Sequence, residues 1–139
     1  MFKKFLVCLF FLGCLAIHVE AETNLPVELF DINKGQVVKS VQSTAEIQQE
    51  ASKFLQEITG VYQKINPIPK EGFMIKIPLS PPNKVENQWF KGDTDEVIVV
   101  FPSFEAPFLM LFDNKNNVHI FTFKGDTSRL LELINYKRT

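Results

Sequence analysis

The apolar pattern of this chain predicts an α+β domain. The expected architecture is an antiparallel sheet of about five to six strands with two helices packed on one face, in the order β-β-α-β-(β)-β-β-β-α. Three observations carry that reading. Short alternating or wholly apolar runs recur along the chain, each bounded by Gly, Pro, Asn or Asp. Only two segments have helical spacing. The links between strand-like runs are short, which suits hairpins and not parallel crossovers.

The first 21 residues read as a cleavable signal peptide and residues 22–139 as a single α+β domain. Lys3 and Lys4 supply a positive start, Phe5–Ile17 carries no charge, and Val19-Glu20-Ala21 places a β-branched and a small residue at −3 and −1 of a cut before Glu22. The apolar run is shorter than the ~20 residues that a membrane-spanning helix needs. A rival reading is a lipobox at Phe11-Leu12-Gly13-Cys14, in which Cys14 would be lipidated. Phe11 stands there where leucine is usual, and Leu15-Ala16-Ile17 prolong the apolar run where a polar tether would begin. Cys8 and Cys14 both lie in this segment, so a chain starting at Glu22 carries no thiol. Its 118 residues are enough to bury a core without disulfides.

Val27–Ile32 alternates and Gln36–Val41 returns after Asn33-Lys34-Gly35, which is a hairpin. Ser43-Thr44-Ala45-Glu46 has the capping-box form, a hydroxyl three residues before a glutamate. Ile47, Ala51, Phe54, Leu55, Ile58, Val61, Tyr62 and Ile65 then fall on one helical face, and Asn66-Pro67 stops the helix unless Gly60 ends it earlier. Phe73–Leu79 alternates as a strand that Pro78 would end at an edge. Ser80–Asn87 reads as a proline-bearing loop, Gln88-Trp89-Phe90 as a short strand or anchored loop, and Lys91–Asp95 as a turn. Glu96–Phe101 fits a central strand. Phe108–Phe112 and Val118–Phe123 flank a turn at Asp113–Asn117, and Gly125-Asp126-Thr127 caps a last helix, Ser128–Tyr136.

Charge says little about partners. Removing Lys3, Lys4 and Glu20 from 15 basic and 16 acidic residues leaves 13 and 15, a net charge of −2. The signs are mixed along the chain. A nucleic-acid binder would show a basic stripe, and an anionic-membrane binder a basic amphipathic face. The reading is therefore no nucleic acid, and membrane contact only through the signal segment or a lipidated Cys14.

No constellation points to chemistry. Asp113, Lys115 and Asn117 alternate like calcium ligands, but the lysine repels a cation and no glutamate closes the loop. His119 is the one histidine after residue 21, too few for a zinc site, and no Gly-x-Ser-x-Gly pattern supplies a nucleophile for it. Asp93, Asp95, Glu96 and Glu105 could pair for acid–base work but sit in turn-like stretches. Gly125-Asp126-Thr127-Ser128 could face an anion, except that Asp126 already carries a negative charge there. No cofactor and no metal is expected.

Aromatic residues are the most informative feature, with 14 phenylalanines in 139 residues. Most belong to a core. The segment Phe101-Pro102-Ser103-Phe104-Glu105-Ala106-Pro107-Phe108 is stiffened by two prolines and sets aromatics in a loop. Trp89, Phe104 and Phe108 are the candidate binding residues. The Lys-Lys signal segment, the cysteine-free domain and the run from Ile68 to Pro82 together resemble small exported proteins of unknown function from spore-forming Gram-positive, Bacillus-like bacteria. That resemblance implies export and no chemistry.

The expected function is a non-enzymatic exported domain that binds a protein at the cell envelope or in the medium. The alternatives are a small secreted inhibitor of a protease or cell-wall hydrolase that uses the Pro102–Pro107 loop, and a hydrolase using Asp93, Asp95 or Glu105. Intact mass of the exported product should place its N-terminus at Glu22; a lipid-modified Cys14 would overturn that cut.

Overall fold

A computed structural model describes residues 25–63 and 68–137; the segment read as a signal peptide, with both cysteines, and Asn66-Pro67 lie outside the described residues. Strands β1 (Val27–Asp31) and β2 (Gln36–Val41) form the expected hairpin. Asp31 makes its turn, accepting from the amides of Lys34 and Gly35, and Gly35 takes φ +64°, a left-handed conformation that costs glycine little.

The first helix, α1, spans Ala45–Gln56. Its N-cap is Thr44, whose hydroxyl accepts from the Ile47 amide at 3.2 Å. The capping box centred on Ser43 is thus displaced by one residue, and the Ser43 hydroxyl instead accepts from the Gln48 side chain. The helix also ends before Ile58, earlier than the apolar spacing implies. Ile58–Val61 forms a strand, β3. Three β-branched residues, Ile58, Thr59 and Val61, surround Gly60; β-branched residues lose rotamer freedom in a helix and glycine loses backbone entropy. The Glu57 carbonyl accepts from the Lys124 amide, pinning the exit from α1 beside the last strand.

The two long strands differ most from expectation. β4 runs from Gly72 to Glu86 and β5 from Lys91 to Pro102, absorbing the segments read as a proline loop and a turn. Residues 88–90 form a turn, not a strand, with Asn87 accepting from the Trp89 and Phe90 amides. The ladder between β4 and β5 breaks between Pro78 and Asn83, so Pro81 and Pro82, the former after a cis bond, disrupt no continuous pairing. Gln48 of α1 serves the broken stretch: its Nε2 donates to the Pro78 carbonyl at 2.6 Å, and its Oε1 accepts from the Ser80 amide at 3.2 Å. Pro78 is tolerated inside a central strand because β1 pairs with β4 only as far as Lys76.

β6 (Phe108–Phe112), β7 (Val118–Phe123) and a short helix α2 (Ser128–Leu133) complete the chain. The seven strands of the described residues lie in one antiparallel sheet, ordered β2-β1-β4-β5-β6-β7-β3. The count exceeds the five to six expected, because β3 was hidden in helical spacing. One buried cluster joins Ile47, Ala51, Phe54 and Leu55 of α1, Leu130 of α2 and Ile134 to Leu29, Ile75, Ile77, Val97, Val99, Leu109, Leu111 and Phe121 of the strands. A second, smaller cluster is built on Val100, Phe108 and Met110 with Tyr62, Met74, Ile98, Phe112 and Ile120, and contains no helix residue among those described.

Phe54 is fully buried, with its ring 5.2 Å from that of Phe123. Phe54→Ala should lower stability by about 3–5 kcal/mol in a denaturant titration. A loss below about 1 kcal/mol would show that α1 does not seal the sheet.

Candidate functional site

The turn that joins β5 to β6 is held at both ends. Before it, Phe101 is buried and stacks on Phe73 at 4.5 Å between ring centroids, and Pro102 is also buried. After it, Phe108 is buried and stacks on Tyr62 at 4.1 Å. Two hydrogen bonds tie down the residues between. The Ser103 amide donates to the Glu71 carbonyl at 3.1 Å, and the Tyr62 hydroxyl donates to Glu105 Oε2 at 2.8 Å. Phe104 lies between these two anchors, 88% exposed.

Gly72 makes the close approach beneath this loop possible. It pairs with Pro102, has φ +129°, and a methyl group on its Cα would overlap the Phe101 carbonyl. Its amide donates to the Asn33 side chain at 3.1 Å. A cleft of about 180 Å³ beside it is lined by Asp31, Asn33, Phe73, Ser103 and Tyr136.

The three aromatic candidates do not form one surface. Phe108 is core, 1% exposed. Trp89 is partly exposed in the turn that precedes β5, whereas Phe104 lies in the turn that follows it, with the 12 residues of β5 between them. Of the three, only Phe104 is presented free of the protein's own packing. The burial of Phe108 could have been read from the unbroken apolar run of β6; the Tyr62 support could not, because the apolar spacing puts Tyr62 in a helix.

The remaining candidates have structural partners. Asp93 and Asp95 lie on β5, Glu96 faces Lys76 at 3.5 Å, and Glu105 lies beyond the other end of the strand. Asp126 accepts from the Ser128 amide, and hydrogen bonds from Ser128 lower its carboxyl below the ordinary value. A cleft of about 510 Å³ lies where α1 meets β4, but Gln48 and Thr44 on its wall are committed to the bonds described above. Among the described residues no group of three His, Cys, Asp or Glu side chains gathers as a metal site would require.

Asp113 and His119 form a pair that spacing did not reveal. Across the β6–β7 hairpin, His119 Nε2 and Asp113 Oδ2 are 3.0 Å apart. The imidazole packs edge-on to Phe90 at 4.9 Å. Asp113 also accepts from the amides of Lys115 and Asn117 and from the Asn117 side chain. Its oxygens thereby organise the turn. Comparison with protein families, curated proteins and solved structures gives no match.

The His119 hydrogen bond, followed by that from the Asn117 backbone, holds the Asp113 carboxyl well below its ordinary 3.8. A carboxyl more acidic in the folded state contributes stability above its unfolded value, and loses it as pH falls through the folded one. Asp113→Asn should therefore lower Tm at neutral pH, with the gap to the parent closing as pH drops below 3.8. Parallel Tm profiles for the two proteins would exclude this role.

Proposed function

We propose that this chain is an exported, non-enzymatic domain that acts by binding a protein at the cell envelope or in the medium, with Phe104 as its anchor. One observation carries the reading: a fully projecting phenylalanine on a loop already fixed by Tyr62, Glu71, Gly72 and two stacked aromatic pairs. An exposed aromatic on a flexible loop would lose entropy on docking, whereas a loop ordered beforehand loses little. Interfaces concentrate their binding energy in a few such aromatic anchors. Export rests on the charged, apolar and small-residue order of residues 1–21.

The reading uses a two-layer arrangement, with α1 and α2 together on one face of the sheet. Their shared membership of the larger buried cluster supports it. The β5–β6 loop emerges from the end of that sandwich. A second reading, inhibition of a secreted protease or cell-wall hydrolase, draws on the same loop, since a stiff segment with one protruding side chain suits insertion into a cleft. The carboxylates invoked for hydrolysis are spread over both ends of β5 and give that third reading no support.

Phe104→Ala should change stability by less than about 0.5 kcal/mol, because the ring touches little of its own protein. The same variant should fail to retain the proteins that the parent captures from envelope and medium fractions. Equal retention by both, or a large loss of stability, would sink Phe104 as the anchor. Loss of activity in a panel of secreted proteases and wall hydrolases on adding the parent, but not the variant, would favour inhibition.

A further inference from the structure

The two middle strands of the sheet are apolar on both sides. In β5, Val97, Val99 and Phe101 join the helix-bearing cluster, while Ile98 and Val100 point into the other. In β6, Leu109 and Leu111 face the first cluster, and Phe108, Met110 and Phe112 the second. Strands with no polar alternation are characteristic of a sheet covered on both faces. Among the described residues, no helix residue contributes to the second cluster.

Strand pairing places Glu28, Lys76, Ile98, Met110 and Ile120 in one row across β1, β4, β5, β6 and β7. Phe112 pairs with Val118 in the adjoining row. Cover differs along this face. Val100 and Phe108 are fully buried at the end near Tyr62, whereas Ile98, Phe112 and Ile120 are only partly buried and Val118 is 49% exposed. The apolar strip ends at a charged border. Lys76 Nζ lies 4.0 Å from Glu28 Oε1 and 3.5 Å from Glu96 Oε1, so two carboxylates share one ammonium. One negative charge is left over beside Ile98.

That charge selects the occupant. Two copies of this face would bring four carboxylates against two lysines, and an anionic lipid surface would be repelled. A complementary partner is apolar with a cation at its edge. Its shape follows from the opposite side of the same sheet, where α1 lays Ile47, Ala51, Phe54 and Leu55 across the strands. A helix about 10 Å wide covers roughly two strand spacings, the width of the Ile98–Met110–Ile120 strip.

We propose that the strip formed by Ile98, Phe112, Val118 and Ile120, bordered by Glu28, Lys76 and Glu96, docks an amphipathic helix of a partner protein that carries a lysine or arginine beside its apolar side chains. This surface is distinct from the Phe104 loop and does not depend on it.

The probe is a synthetic 18-residue helical peptide with leucines on one face and a lysine at its border, compared with a scramble of identical composition, by NMR titration of the full exported protein. The designed helix should shift the amides of β5–β7 around Ile98, Phe112 and Val118, and the scramble should not. Val118→Asp should weaken binding by tenfold or more. Glu96→Gln should weaken it and Lys76→Ala should tighten it, each by about two- to fivefold, the range for partly exposed charges. Phe104→Ala should leave it unchanged, which separates this surface from the anchor loop. Should Val118→Asp lose its fold by circular dichroism, Ile120→Gln takes its place with the same expectation. Equal binding of peptide and scramble, no binding at all, the opposite order of the charge variants, or concentration-dependent self-association abolished by Val118→Asp would each overturn the proposal. Binding to phosphatidylglycerol vesicles through this face would do the same.

Discussion

The pairing of β4 with β5 is the constraint on which the rest of the fold hangs. These two strands lie near the middle of the sheet, with β1 added outside β4 and β6 outside β5. Their register, from Gly72 opposite Pro102 to Glu86 opposite Lys91, sets which side chains of the central strands join the larger buried cluster and which do not. A slip of one residue would turn Ile75, Ile77, Val97 and Val99 out of the core and bring Lys76 and Glu96 into it. The pairing also fixes both ends of the molecule, the Asn87–Phe90 turn at one and the Phe104 loop at the other.

The break in that ladder is repaired from outside the sheet. Between Pro78 and Asn83 the strands cannot exchange regular bonds, and the Gln48 side chain takes the place of a neighbouring strand by accepting and donating to β4 backbone groups. This couples the position of α1 to the middle of the sheet. A helix placed one turn away would leave the Pro78 carbonyl and the Ser80 amide without these partners. The same logic explains why Thr44, and not Ser43, caps the helix: Ser43 is taken up by Gln48.

Legibility of the candidate site followed the range of the interactions that make it. Two prolines and a phenylalanine between strands are local facts, and they pointed to the loop that carries Phe104. Its rigidity comes from Tyr62 and Glu71, far along the chain from Phe104, and no spacing rule connects them. Phe108 looked equivalent to Phe104 in composition, yet strand alternation turned its ring onto Tyr62. Asp113 and His119 are six residues apart, too far for a turn motif to link them, and they meet because a hairpin folds between them.

Local chemistry in the chain by itself determined the first hairpin, the start of the long helix, the two strands around Asp113 and the membership of most of the core. Turn residues, capping hydroxyls and apolar alternation act over a few positions, and so they survive without knowledge of the whole. Tertiary structure decided what local preference left balanced. Ile58–Val61 fits the spacing of a helix and the composition of a strand, and the open edge of β7 settled it. The proline-rich stretch after Leu79 reads as a loop, and Gln48 from a distant helix made it part of a strand. Only the assembled sheet separated its two buried clusters, because the unbroken apolar runs of β5 and β6 carry no mark of which alternate set joins the larger one.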